Sequence, residues 1–138
     1  MPGTPVYLVN PSIVIGATDF TGVCSSISGT LGYDALEITA FGDTGHLNRP
    51  GLQTVEITAT FYGVYGTGEI EEALSSAVGD GTTTVTIYPA GTTPSTSNPE
   101  YTISNTMLAS YPAVNQSVGE LATFDVTFTG GTWARATS

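Results

Sequence analysis

The chain has 138 residues, of which 40% are hydrophobic, and it carries twelve Asp and Glu against two Arg and no Lys, giving a formal net charge of −10. This length predicts one domain, residues 1–138, large enough to bury a core without a metal or a disulfide. The shortage of cations argues against tight binding to nucleic acid or to anionic lipid. We expect neither a signal peptide nor a membrane-spanning segment.

Alternating apolar and polar residues predict a mainly β fold. In 53–62, "QTVEITATFY", one phase holds Val55, Ile57, Ala59 and Phe61, and the other holds Thr54, Glu56, Thr58 and Thr60. This alternation is typical of a strand with one buried face and one face exposed to solvent. The pattern "ATFDVTFT" at 122–129 repeats this alternation. Further strands are expected at 6–9, 12–16, 20–28, 35–41, 82–88 and 101–111. The predicted architecture is a two-sheet β-sandwich or a squat barrel.

One α-helix is expected at about residues 69–78. Its apolar residues are spaced i, i+3, i+4, i+7 and i+8, starting at Ile70, so they form one stripe. Glu69, Glu71 and Glu72 lie in the first turn, where the helix dipole favours anions, and Gly79 is the expected stop. This placement explains the three carboxylates without a catalytic or metal-binding role.

Residues suited to catalysis are few. His46 has Asp43 and Thr44 close by in sequence, but catalytic groups are normally brought together from separate elements, and no known catalytic motif occurs. Cys24 is the only cysteine, so an intrachain disulfide is impossible, and cations that would activate a thiol are scarce. The sequence therefore predicts no enzyme activity and no cofactor.

Two binding hypotheses also have plain structural explanations. Asp80 in "VGDGTTT" could bind calcium, but the spacing of an EF-hand loop is missing, and a glycine-based turn explains the stretch. Tyr62, Tyr65 and Trp133 could stack on sugars, but packing at the edge of the core explains them as well. The sequence predicts no metal site.

The segment 35–78, "ALEITAFGDTGHLNRPGLQTVEITATFYGVYGTGEIEEALSSAV", resembles the central region of tail tube (major tail) proteins of long-tailed bacteriophages. In that family a strand leads to an F-G-D-T turn, then to a P-G-L entry into a long alternating strand, and then to a short amphipathic helix. The residues that carry this pattern here are Phe41, Gly42, Asp43, Thr44, Pro50, Gly51 and Leu52.

The resemblance implies a structural virion protein of the tail, assembled in the host cytoplasm. Its subunits would form hexameric rings that stack into a tube, and sheets of neighbouring subunits would join into an inner barrel around a channel for DNA. The implied partners are further copies of the chain, a tape measure protein inside the tube, and terminator and tail-tip or baseplate proteins at its ends. DNA would pass without tight binding, since an acidic wall repels it.

Two surfaces follow as expectations. The polar loop 42–51 is expected to contact another subunit, through Phe41, Gly42, Asp43, Thr44, His46, Asn48, Arg49 and Pro50. A hairpin closed around residues 46 and 47 would place Glu37 near Glu56 and Thr39 near Thr54. The expected channel lining is Glu37, Thr39, Thr54, Glu56 and Thr58. Two alternatives stay open: a single-ring tail terminator or completion protein, and a secreted β-sandwich module that binds carbohydrate or a cell surface.

Overall fold

The computed structural model describes residues 11–91 and 93–138. In these ranges eight strands and one α-helix follow one another, with a short 3-10 turn at Thr21–Val23. The elements are β1 (Ser12–Ile15), β2 (Thr18–Asp19), β3 (Cys24–Glu37), β4 (Asn48–Tyr62), α1 (Ile70–Ala77), β5 (Thr83–Tyr88), β6 (Glu100–Leu108), β7 (Thr123–Thr129) and β8 (Thr132–Ala136).

All strand pairs are antiparallel, and the sheet runs in the order β2-β1-β5-β6-β7-β4-β3. The sheet turns a corner at β6, because β8 pairs with the first half of β6 while β7 pairs only with Met107 and Leu108 at its end. Asn105 lies at this corner with a φ of 58°. The mainly β prediction is confirmed, as an open sandwich of two sheet halves and not a closed barrel.

The β7–β8 turn requires glycine at Gly131. Its φ is 95°, and a Cβ at this position would lie 2.3 Å from the carbonyl oxygen of Ser104. Only a residue without a side chain allows this close approach of two backbones.

The core fills the space between the two sheet halves. Alternate residues of β4 and β7 are buried, and α1 covers one end of the core, beside the end of β6, with Ile70, Leu74 and Ala77. The largest fully buried side chains include Phe61, Phe124 and Phe128. The alternation predicted for 53–62 and 122–129 is confirmed, and so is the helix, within one residue at each end.

The strand β3 and its hairpin correct the sequence analysis. The strands expected at 20–28 and 35–41 are one strand, β3, which crosses the Gly-rich stretch between them. The hairpin loop is 38–47, so β4 already begins at Asn48. Glu37 pairs with Asn48 and Glu56 with Thr30, so the predicted pairing of Glu37 with Glu56 is wrong.

The remaining differences are smaller. The short strands β2 and β8 were not predicted. The strand expected at 6–9 lies outside the described residues.

Candidate functional site

The outward face of the β3–β4–β7 sheet is a continuous surface of hydroxyl groups. The strand register places outward residues of β3 and β7 on either side of those of β4. This hydroxyl face comprises Ser26, Ser28, Thr30, Thr54, Glu56, Thr58, Thr60, Asp125, Thr127 and Thr129. It carries two carboxylates and neither Lys nor Arg. Thr54, Glu56 and Thr58, three of the five residues expected to line a channel, are therefore neighbours on one exposed face.

Hydrogen bonds order this face locally. Thr60 donates to the carboxylate of Asp125 at 2.6 Å, and the hydroxyls of Thr58 and Thr127 lie 3.5 Å apart. Glu56 stands between threonines on both neighbouring strands, so no carboxylate lies directly opposite it. Its negative charge is thus accommodated without the like-charge repulsion that the predicted register implied.

The hairpin loop forms a tight turn at its tip. The amide of Asp43 donates to the carbonyl of Ala40 at 3.1 Å, and a carboxylate oxygen of Asp43 accepts the amide of Ala40 at 2.6 Å. Gly42 has a φ of 96°, which suits the third position of such a turn. Phe41 occupies the second position with its side chain fully exposed. The motif carried by Phe41, Gly42 and Asp43 therefore builds a turn that presents an aromatic ring.

Behind the tip, Glu37 joins the two sides of the loop. Its carboxylate accepts the Thr39 hydroxyl at 3.0 Å and also contacts the imidazole Nδ1 of His46. The Thr39 hydroxyl in turn accepts the amide of Leu47 at 2.9 Å. Within 11–91 and 93–138, the contact between Glu37 and His46 is the only close contact between an acidic and a basic side chain. Glu37 and Thr39 thus lie at the hairpin end and not beside Glu56.

The other expected loop residues divide between the loop and β4. Thr44 lies in the loop, whereas Asn48, Arg49 and Pro50 belong to β4 and pair with the end of β3. Pro50 is tolerated there because this part of β4 has β3 as its only strand neighbour, β7 pairing from Glu56 onward. Arg49 lies opposite Leu36 and is exposed.

Sequence reasoning missed two exposed apolar surfaces. The hairpin patch consists of residues at the ends of β3 and β4 and in the loop between them: Leu36, Ile38, Phe41, Leu47 and Leu52. The loop patch lies between β6 and β7 and consists of Val114, Val118 and Leu121. Phe41 and Val118 are fully exposed. The available signal was Leu47, Val114 and Val118, which are large apolar residues inside segments that were read as polar loops.

The alternative sites have structural explanations. Asp80 accepts a hydrogen bond from Thr82 at 2.8 Å in a turn where Gly79 and Gly81 both have a φ of 77°. Burial raises the pKa of the Cys24 thiol, which opposes the thiolate form that reactive cysteines need. No group of three or more potential metal ligands occurs within the described ranges.

The aromatic residues do not form a common platform. Trp133 packs edge-on against Tyr33 with ring centroids 5.8 Å apart, and its indole N–H donates to the carbonyl of Gly32. Tyr65 packs in the same way against Phe124, at 5.9 Å. The packing role is confirmed for both rings.

In the part of the chain that the structure describes, no helix is long and apolar enough to cross a bilayer.

The fold is similar to the folds of solved tail tube and tube-terminator proteins from phages and related injection systems. The chain is similar to the SPP1 tail tube protein, with a TM-score of 0.73 and 10% identity over 97% of this chain and 80% of that one. It is similar to the tube-terminating cap of the anti-feeding prophage, with a TM-score of 0.69 and 16% identity over 100% and 95%.

A chain of the sheath–tube complex of the extracellular contractile injection system PVC matches with a TM-score of 0.64 and 15% identity, over 97% of this chain and 93% of that one. No protein-family model and no curated protein sequence matches the chain. The likeness therefore establishes the fold.

Proposed function

We propose that this protein is the structural subunit of a phage-type tail tube, which assembles as hexameric rings that stack around a channel for DNA. It acts as a component of the virion tail and not as an enzyme. The observation that carries this proposal is the hydroxyl face. This face is broad and exposed and contains no Lys or Arg. It lies on the β3–β4–β7 sheet, whose edge strands would pair with those of neighbouring subunits in a ring.

The chemistry of the hydroxyl face suits a conduit. Serine and threonine hydroxyls keep the wall hydrated, while Glu56 and Asp125 repel a polyanion, so DNA would pass without adsorbing. In a six-subunit ring these two residues supply a band of carboxylates around the axis. We place Thr54, Glu56 and Thr58 in this lining, and we assign Glu37 and Thr39 to the hairpin end.

The edges of this sheet suit ring formation. β3 is an edge strand of 14 residues that pairs only with β4, and it contains neither Lys nor Pro, the usual guards against edge pairing. At the other edge, β7 pairs with β6 only through Phe128 and Thr129. Backbone groups are therefore available on both sides, and joining β3 of one subunit to β7 of the next would continue the sheet around a ring.

A terminator that stays a single ring is the second candidate. The observation in its favour is the set of similar structures, which includes a tube-terminating cap and a sheath/tube terminator, the latter with a TM-score of 0.66. In either case further copies of the chain are the main partners. A tape measure protein inside and tail-tip or baseplate proteins at the end would complete the assembly in the host cytoplasm.

Negative-stain microscopy of the purified protein separates these possibilities. The tube proposal predicts long hollow tubes at raised concentration, and the terminator candidate predicts single rings. A protein that stays monomeric at every concentration would contradict both. It would favour the remaining alternative, a secreted β-sandwich module that binds carbohydrate or a cell surface.

A further inference from the structure

A groove runs along the inner face of β3, on the side where the two sheet halves stay apart. Within the described ranges β3 pairs only with β4, and β8 pairs only with β6, so these two edge strands leave a gap between them. Two adjoining cavities in this gap, with volumes of about 420 and about 160 Å³, share part of their lining. This β3 groove is lined mainly by Pro11, Ile27, Leu31, Ile87, Tyr101 and Trp133.

The β3 groove is apolar and its walls are held in place. Ile27, Leu31 and Trp133 pack against the core but stay partly exposed. The backbone N–H of Trp133 donates to the side-chain oxygen of Gln53 at 3.1 Å, and its indole N–H donates to the carbonyl of Gly32 at 3.2 Å. A cavity of roughly 150 Å³ holds one benzene ring, so the groove has room for several side chains.

The N-terminal segment of the chain leads directly into this groove. Pro11 lines the smaller cavity together with Ile27, and the ten residues before it lie outside the described ranges. This segment, "MPGTPVYLVN", has no charged side chain, and its residues 6–9 are apolar at four successive positions. The residue before a proline favours an extended backbone, which here is Asn10. An apolar segment with an extended connection is thus tethered to one end of an apolar groove.

We propose that residues 6–9 of the same chain occupy the β3 groove as an extended segment. Between Ile27 and Leu31 the groove follows four residues of β3, which is about 13 Å at about 3.3 Å per residue. Four extended residues span the same distance, so the length of the apolar segment matches that of the groove. Side chains of an extended segment alternate between its two faces, so both walls of the groove receive apolar side chains.

The tether and the charges favour this occupant over another molecule. Val9 is two residues from Pro11, so the segment is held beside the groove at a high effective concentration. The exposed apolar patches of a second copy would bring carboxylates with them, Glu37 near the hairpin patch and Glu120 in the loop patch. Placing these carboxylates in an apolar groove would cost free energy, whereas residues 6–9 carry no charge.

Occupation of the groove stabilises the strand β3. Within the described ranges this strand has β4 as its only strand neighbour, and its outward residues Ser26, Ser28 and Thr30 belong to the hydroxyl face. Apolar side chains buried against its inner face therefore hold a strand that carries one side of the hydroxyl face. The docking takes place within one subunit and does not depend on the proposed tube function.

Disulfide pairing tests where the segment lies. In a Cys24→Ser background, Val6→Cys is combined either with Leu31→Cys, in the groove, or with Thr30→Cys, the adjacent residue on the opposite face of β3. Because a disulfide needs close and well-oriented Cβ atoms, oxidation by glutathione disulfide should join residue 6 to residue 31 and leave the Thr30 control reduced. The product should be an intramolecular disulfide at every protein concentration.

Two outcomes of this experiment would overturn the proposal. Disulfide-linked dimers that increase with protein concentration would show that the segment of a second copy fills the groove. Equal oxidation of the Leu31→Cys and Thr30→Cys pairs would show that the segment is not held in the groove.

The fluorescence of Trp133, the only tryptophan of the chain, gives a second measurement without any cysteine. Tyr7→Asp with Leu8→Asp should lower the docking equilibrium constant by about 100-fold or more, since burial of each apolar side chain contributes about tenfold or more. Quenching of Trp133 by acrylamide should therefore increase. The control Gly3→Asp with Thr4→Asp adds the same charge outside residues 6–9 and should leave the quenching unchanged. Equal quenching in the two variants would contradict the docking.

Discussion

Reversing the charge of the hydroxyl face should turn a repelling channel wall into one that holds DNA. Glu56→Lys with Asp125→Lys changes the face of each subunit from two negative charges to two positive ones. Both side chains are exposed, so we expect the isolated subunit to keep its stability within about 0.5 kcal/mol, apart from the loss of the hydrogen bond between Thr60 and Asp125. Assembly should therefore remain possible.

The expected size of the effect follows from counterion release. If roughly four of the new lysines contact phosphates at one time, the logarithm of the DNA affinity falls with that of the salt concentration with a slope of about −3.6. Raising the salt from about 50 to 200 mM would then weaken binding about 150-fold. The assay is retention of labelled duplex DNA by tubes assembled in its presence, followed across a salt series.

Nuclease protection distinguishes the channel from the outside of the tube. The control Glu72→Lys with Asp80→Lys introduces the same charge change at two exposed positions away from the hydroxyl face. DNA held by the Glu56 and Asp125 variant should resist nuclease, whereas DNA attracted by the control should be digested. Equal digestion in both would refute the assignment of this face to the channel.

Three smaller predictions test other parts of the structure. Gly131→Ala should destabilise the fold more than Gly130→Ala in thermal unfolding: both cost about 1–2 kcal/mol for the left-handed backbone, but only the first also meets the carbonyl of Ser104. Equal losses would contradict the close approach. Burial raises the pKa of the Cys24 thiol, so its alkylation near pH 8 should be slow until the protein unfolds, and a rate equal to that of a free cysteine would contradict this. Arg49→Ala should leave subunit stability unchanged but raise the concentration needed for tube growth in light scattering, and an unchanged threshold would argue against its contact role.

Side-chain periodicity made the core and the hydroxyl face predictable. The alternation in 53–62 fixes which residues of β4 are buried, and the i, i+3, i+4 spacing from Ile70 fixes the buried face of α1. Both patterns reflect burial against a single core, which is a local property of the sequence.

The register and the apolar contacts could not be predicted in the same way. β3 is an edge strand whose Ser and Gly residues are largely exposed, so its sequence carries little alternation and reads as two strands with a break. The register depends on where the hairpin turns: the tight turn at Ala40–Asp43 and the loop 38–47 replace the predicted centre at 46 and 47. Phe41 is apolar although its side chain is fully exposed within the subunit, and no pattern within one chain distinguishes such a residue from a core residue.

The most direct test of the account is a cryo-EM reconstruction of the assembled protein. The account predicts stacked sixfold rings in which β3 of each subunit pairs with β7 of its neighbour and Glu56 and Thr58 face the channel. An assembly with Glu56 on its outer surface or buried between subunits, or a particle built without these sheet edges, would contradict it.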